Sequence, residues 1–422
     1  MFWWYRFHKK IHRFSLFTSY RSFLKSQPWW VQKRAHPTKT MTLTLFCKVI
    51  DNFGDIGICW RLARQLVKEH QLTVTLWVDD LPSFHRICQE VIVDADTQQI
   101  DQVTVRHWYD RHAKFTADDV TDIIIEFFAC DIPPSLLTAM ATRVPQPVWL
   151  NLEGLSAEKW VEGCHKLPSP HPSLSLTKYF FFPGFTDKTG GLLLESELHQ
   201  QRLTFQQSPA AMSSFLGQLG VTPTEVTAMK VSLFCYPHAP IPELFRAWQN
   251  SDEMVTCLVP ESIALEAVQT FLGQAAKVGA SATRGSLTVR VIPFLSQPDY
   301  DRLLWACDLN FVRGEDSFVR AQWASRPFIW HIYPQDKNLH HVKLNAFLNC
   351  LTAKTENLAA FSLMWNAANS IDVDTLWPLF KADLPKMNNL FPVWQQQLVA
   401  NGDLASNIVK FAETICQESP EK

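Results

Sequence analysis

The sequence predicts an α/β protein of two doubly wound, Rossmann-like halves facing a central cleft, followed by a helical tail. Three observations carry this expectation. Short apolar strands alternate with amphipathic helices from residue 42 to about 152, a proline-punctuated stretch over 165–228 interrupts the rhythm, and the alternation then restarts at 230. Such alternation argues for parallel sheets covered by helices on both faces.

Composition sets the outer bounds. The chain has 422 residues, 47% of them hydrophobic and 19% charged, with a mean hydropathy of -0.07, which excludes a disordered or fibrous protein and suits two medium domains. No run of about 18 apolar residues occurs, so a membrane span is not expected. The first forty residues hold nine basic side chains and no acidic one, so thirty Lys and Arg face forty-one Asp and Glu in the remainder, a net −11. An acidic body argues against a general nucleic-acid surface. The ten cysteines are scattered with no C-x-x-C pair, which excludes a zinc ribbon or dithiol site and suits reduced, buried thiols in a cytoplasmic protein.

Residues 1–40 are aromatic and basic without the apolar core or cleavage site of a signal peptide. A basic membrane-surface segment is one reading. We expect instead that the fold starts at Met41, because strand-like sequence begins directly after it. Thr42–Ile50 reads as a buried strand, followed by a polar turn and a helix from about Ile58 to His70. Further strands are expected at Leu72–Val78, Gln102–Trp108, Asp122–Cys130 and Pro147–Leu152. Pro168, Pro170, Pro172, Pro183 and Gly190-Gly191 then suggest a linker and a helical excursion. The second half offers strands at Lys230–Tyr236, Met254–Val259, Leu287–Phe294, Leu309–Val312 and Pro327–Ile332, with helices near 241–250, 262–274, 298–306, 315–325 and 338–349. From Leu358 to Glu418 the pattern is helical. The expected domains are 41–225, 226–385 and a set of C-terminal helices over 386–422, which such a chain can pack back on the first domain. Paired halves of this kind form the GT-B architecture, used by nucleotide-sugar transferases and some sugar epimerases; fold alone does not give function.

Dinucleotide, P-loop, zinc-protease and serine-hydrolase motifs are all missing. What remains is concentrated at two strand ends, where open parallel sheets bind ligands. The first strand runs into Asp51-Asn52-Phe53-Gly54-Asp55-Ile56-Gly57, two carboxylates four apart in a strand-to-helix turn. One of them would suffice as a helix cap, so the pair is a candidate for base or orienting work. The second cluster is Arg313-Gly314-Glu315-Asp316-Ser317. Backbone N–H groups at that helix start, with Ser317, are candidates to hold a diphosphate. Arg313 would neutralise charge on the leaving phosphate, and Glu315 and Asp316 fit if they turn toward hydroxyls or a cationic acceptor. Phe234, Tyr236, Phe294 and Gln297, at strand ends, are candidates to stack on and hydrogen-bond a nucleobase. Asp94-Ala95-Asp96 has the D-x-D form that holds a metal in the other major transferase fold, but three residues are a common pattern. His331, His340 and His341 fit satisfied or exposed roles better than metal ligands.

The segments around Asp51–Asp55 with CWRLARQL, NLEGLSAEKW (Asn151–Trp160) and FVRGEDSFVRAQWASRPFIWHIYPQ (Phe311–Gln335) closely resemble the EarP family, protein-arginine rhamnosyltransferases of translation elongation factor P. The resemblance covers residues 42–420 and leaves 1–40 without a counterpart; Gly154 stands where a larger, aromatic residue is expected. It implies transfer of rhamnose from dTDP-β-L-rhamnose to one arginine with inversion. It further implies that Asp55 is the general base, Asp51 its support and Glu315 a further essential residue. Asn52, Phe53 and Gly54 would line the sugar side, and Phe234, Tyr236, Phe294, Gln297 and Arg313 through Ser317 would hold the nucleotide. No metal, cofactor, nucleic acid or membrane is expected to take part. The same architecture also admits a sugar-nucleotide epimerase or hydrolase without a protein acceptor, or a catalytically silent binder of the translation factor.

Overall fold

The computed structural model describes residues 40–51, 53–109, 114–367 and 372–418. The expectation for residues 1–39, and the placement of Asn52, lie outside the described residues.

Eight strands form the first sheet: β1 Thr42–Cys47, β2 Thr73–Val78, β3 Thr97–Ile100, β4 Val103–His107, β5 Ile123–Phe127, β6 Val148–Leu152, β7 Pro168–Pro170 and β8 Thr177–Phe181. Their spatial order is β3-β4-β2-β1-β5-β6-β8-β7. The inner strands run parallel; only the edge strands β3 and β7 pair antiparallel, to β4 and β8. The sequence of β5 (IIIEF) and β6 (VWLNL) is buried throughout, as parallel strands covered on both faces require.

The edges depart from the sequence reading. Part of the expected linker is β7 and β8, which complete the first sheet. β3 (TQQI) and β7 (PSP) are polar or proline-bearing, a composition that reads as loop but is tolerated on an edge, where one row of backbone groups needs no partner. The first helix also begins earlier than expected, at Gly54 rather than Ile58, and runs to His70, because Gly54 N–H closes on Asp51 C=O at 2.6 Å and starts the coil.

The second sheet comprises β9 Met229–Leu233, β10 Val255–Pro260, β11 Ser281–Arg284, β12 Leu287–Ile292, β13 Leu309–Arg313 and β14 Phe328–His331, in the order β11-β12-β10-β9-β13-β14. It is parallel except for the edge strand β11, which the sequence reading also missed. Helices Ile241–Gln249, Leu265–Leu272, Gln297–Ala306, Asp316–Ala324 and Leu339–Cys350 connect or follow these strands, close to their expected ranges.

The tail is helical, over Glu356–Trp365, Val373–Val399 and Leu404–Glu418. The middle helix contains Pro378, Pro385 and Pro392. Their seven-residue spacing places all three on one face. Trp377, Phe380, Met387, Phe391 and Trp394 are buried on the other face. The last helix crosses to the first lobe, where Phe411 meets Tyr179 and Phe181 of β8 edge-on or tilted, at 5.4 and 5.9 Å between ring centroids. Just before it, Asp403 pairs with Leu192 in an isolated parallel bridge, and Leu404 N–H reaches Leu192 C=O at 3.0 Å. All ten cysteines are unpaired, seven of them buried.

Candidate active site

The carboxyl ends of β1 and β13 face each other between the lobes. Asp55 stands in the first turn of helix Gly54–His70 and is only 4% exposed. One of its oxygens accepts from the backbone N–H groups of Ile50 (2.7 Å) and Asp51 (2.8 Å), which locks the carboxylate against the turn. Burial raises its pKa, and those two hydrogen bonds oppose the rise. Asp51 is likewise raised by burial, against the hydrogen bond it accepts from the Tyr236 hydroxyl at 2.7 Å.

Gly314 lies where the two lobes approach. Its φ is +60°, and a Cβ there would stand 2.6 Å from Asp51 Oδ2 and 3.1 Å from the Tyr236 oxygen, so both conformation and space require glycine. Glu315 follows, and its Oε1 accepts from the N–H of Leu155, in the first lobe, at 2.6 Å. Burial pushes its pKa up to about 7, with Asp55 and Asp51 adding to the rise and Lys343 and the Leu155 N–H opposing it. Asp316 turns to Arg61 of the first lobe, accepting from Nε at 2.9 Å. Ser317 folds its hydroxyl back on Arg313, accepting from that residue's N–H at 3.0 Å and donating to its C=O.

The Arg313 guanidinium lies 4.5 Å from the Phe234 ring centre, 4.8 Å from Tyr236 and 5.7 Å from Phe53, and donates to Cys235 C=O at 3.1 Å. Phe53 and Phe294 meet across the lobes at 4.8 Å, with Arg86 over both rings at 5.4 and 5.1 Å. Phe53, Phe234, Phe294 and Arg313, with Asp51, Gly54, Arg61, Gln297, Tyr300, Asp316 and Ser317, line a cleft between the lobes. A flat, π-rich, cationic hollow of this kind suits a nucleobase and diphosphate.

Of the candidates, Asp51, Phe53, Gly54, Phe234, Phe294, Gln297, Arg313, Asp316 and Ser317 line this cleft, while Asp55, Tyr236, Gly314 and Glu315 are joined to it only through the contacts above. Most of the polar side chains are already engaged within the protein. Asp316 and Ser317 are bonded as above, and the Gln297 amide donates to Gly57 C=O and accepts from Arg64, both at 2.9 Å. Sequence reasoning missed Arg61, Arg86 and Tyr300; the one available signal was a pair of arginines, Arg61 and Arg64, inside an otherwise apolar helix face. Gly154 also finds its reason: a Cβ there would meet the Phe128 ring at 3.0 Å, so Phe128 fills the volume that an aromatic side chain at 154 would take.

Of the weaker motifs, Asp94–Asp96 lies away from the cleft, whereas His331 packs against Tyr236. Asp96 accepts from the Tyr109 hydroxyl at 2.7 Å beside the edge strand β3. His331 Nε2 pairs with His238 Nε2 at 2.9 Å while its Nδ1 accepts from Tyr236 N–H at 3.2 Å. Among the described residues no group of three or more His, Cys, Asp or Glu is arranged to hold a metal ion, and no helix is long and apolar enough to cross a membrane.

Two Rossmann-like lobes, carboxylates on the first and a cationic aromatic hollow on the second, define a glycosyltransferase of the GT-B class. Comparison with known proteins narrows this. The chain belongs to the EarP family: the family model described as "Elongation-Factor P (EF-P) rhamnosyltransferase EarP" matches residues 43–413. Among its relatives is a protein-arginine rhamnosyltransferase of Pseudomonas putida, 46% identical over 88% of this chain and 98% of that one. Another, of Shewanella oneidensis, is 39% identical over 87% of this chain and 97% of that one. A solved structure concerning EarP-mediated arginine glycosylation of translation elongation factor EF-P is similar with a TM-score of 0.61 and 32% identity, covering 89% of this chain and 99% of the other. A glycosyltransferase of Rickettsia africae, at a TM-score of 0.50 and 10% identity over 90% of this chain and all of the other, shares the fold alone.

Proposed function

We propose that this enzyme transfers rhamnose from dTDP-β-L-rhamnose to one arginine side chain of translation elongation factor P, inverting the anomeric centre, in the cytoplasm. The observation that carries the reading is the approach of carboxylates from both lobes: Gly314, the neighbour of Glu315, lies so near Asp51 that a Cβ on it would stand 2.6 Å from Asp51 Oδ2. Asp55, Asp51 and Glu315 lie close enough for the first two to raise the pKa of the third, beside a cleft lined by Arg313 and four aromatic rings. A cluster of like charges is held together most readily for a cation that arrives to separate them.

An arginine side chain is a poor nucleophile because its guanidinium stays protonated, with a pKa above about 12. A carboxylate does not remove that proton from the resting acceptor. In this reading Asp55 and Glu315 grip the guanidinium and fix one nitrogen in line with the anomeric carbon. As the C–N bond forms, that nitrogen becomes acidic and its proton passes to Asp55. The C–O bond to the diphosphate breaks at the same time, and its electron pair leaves on the nucleotide, stabilised by Arg313 and the N–H groups at the start of helix Asp316–Ala324. Glu315, whose pKa burial pushes up to about 7, is driven to its ionised form when a guanidinium binds beside it.

The test is to incubate the enzyme with elongation factor P and dTDP-β-L-rhamnose and weigh the intact acceptor. A gain of one deoxyhexose supports the reading. Sugar-nucleotide conversion with unmodified acceptor would make it an epimerase or hydrolase, and a stable complex without chemistry a silent binding factor. The reading invokes no metal; turnover lost in EDTA and restored by Mn²⁺ would bring Asp94 and Asp96 into the mechanism.

A further inference from the structure

We propose that Arg61 is a positioning residue for the transfer reaction: it holds the helix that carries Asp55 in fixed register with the segment that carries Glu315. The inference rests on the reading above for its activity readout and on geometry for the rest.

Arg61 projects from helix Gly54–His70, about one and a half turns beyond Asp55, and its side chain is 2% exposed. All three of its nitrogens hydrogen-bond across the lobe boundary, and NH1 also lies 3.8 Å from Glu195 Oε1. Nε bonds Asp316 Oδ1 at 2.9 Å, NH1 bonds Asp301 Oδ2 at 3.1 Å, and NH2 reaches Asp301 Oδ1 at 3.2 Å and Gln297 C=O at 3.5 Å. Arg320 grips Asp301 from the second lobe, Nε and NH2 each at 2.8 Å, and bonds Glu195 at 2.7 Å. Asp301 is therefore clamped between an arginine of its own lobe and one of the other. The fit is close: a Cβ on Gly57, one turn before Arg61, would stand 3.1 Å from Asp316.

Two features separate positioning from mere adhesion. Buried ion pairs add little net stability compared with apolar packing, because desolvation offsets their attraction; a network of three carboxylates and two guanidiniums is a costly glue. What a guanidinium supplies that an apolar side chain does not is angular definition, since its planar fork fixes distance and tilt together. The residue so fixed is Asp316, the immediate neighbour of Glu315. A shift of about 1 Å between reacting groups costs on the order of 100-fold in rate.

Three variants test this by donor kinetics, thermal melting and small-angle X-ray scattering. Arg61→Met is expected to lower kcat by about 100-fold with less than about threefold change in the donor KM, and to enlarge the radius of gyration of the unliganded enzyme. Arg61→Lys keeps the charge but loses the fork, and is expected to recover the melting temperature more fully than kcat. Arg61→Met with Asp301→Asn restores the charge balance of the cluster and is expected to regain wild-type melting without regaining kcat or compact scattering. Recovery of kcat in the double variant, or scattering and kcat of wild type in Arg61→Met, would overturn the proposal. If the wild type transfers no sugar, the functional reading fails, and the scattering comparison still decides whether Arg61 sets the lobe register.

Discussion

The hydroxyl of Tyr236, three residues beyond the end of β9 in the second lobe, donates to Asp51 in the first lobe at 2.7 Å. Burial, and next Asp51 itself, raise the phenol's pKa, so it stays a donor throughout the working pH range. The hydrogen bond orients Asp51 at the junction of the lobes, next to the rings that hold Arg313. Tyr236→Phe keeps the ring over the guanidinium and removes only this bond. A single hydrogen bond to a charged group contributes about 1.5–3 kcal/mol, so kcat/KM is expected to fall roughly 10- to 100-fold with nucleotide affinity nearly unchanged. Wild-type kcat/KM in this variant would show that Asp51 needs no orientation.

Asp55→Asn leaves an oxygen to accept the Ile50 and Asp51 N–H groups and so preserves the turn. It removes the charge and the proton acceptor. Loss of a positioned base costs about 10²–10⁴ in rate; transfer should fall by at least that range, while thymidine diphosphate titrated calorimetrically binds as tightly as to wild type. Substantial transfer by this variant would end the assignment of Asp55 as base.

Glu315 supplies a pH signature. Its folded pKa of about 7 stands above the ordinary 4.5. The folded state therefore holds a proton that the unfolded chain has already released, and stability declines as pH rises from about 4.5 to about 7. Glu315→Gln should remove its share of that decline, leaving a shallower fall in melting temperature across the same interval. In the wild type, kcat/KM should climb through pH 7 as the carboxyl ionises to meet the guanidinium, and flatten above it. A profile flat from pH 5.5 to 8.5 would remove Glu315 from acceptor binding.

Gly314→Ala combines a left-handed backbone with a Cβ placed 2.6 Å from Asp51 Oδ2. Strain at such a position costs about 1–3 kcal/mol, and the carboxylate must also move. The melting temperature is expected to drop by several degrees, and transfer to fall further than stability alone accounts for. Full activity would mean that the lobes separate at this point during turnover.

The turn Asp51–Asp55 and the run Arg313–Ser317 were legible in the sequence because each is short and follows a strand. A carboxylate at such a strand end has few structural uses, so its presence carries information. Arg61 was not legible as a site residue: its place on an apolar helix face hinted at burial, but its partner Asp301 stands 240 positions away. Leu155 was beyond reach for another reason: it contributes a backbone N–H, and residue identity is silent about that. The amide of Gln297 was read as free for a base, whereas the closeness of Gly57 and Arg64 draws it to the first lobe. Edge strands β3, β7 and β11 escaped because edge positions relax the apolar pattern that reveals their inner neighbours.

The bridge between Leu192 and Asp403 joins the segment leaving the first lobe to the segment returning to it. The second lobe is thereby spliced into the first as a cassette with its entry and exit stitched side by side. Such a doubled strap behaves as one hinge pin. A protease that nicks the chain once near Glu197 should yield two bands on a denaturing gel and a single peak on gel filtration, because the return strand still tethers the halves.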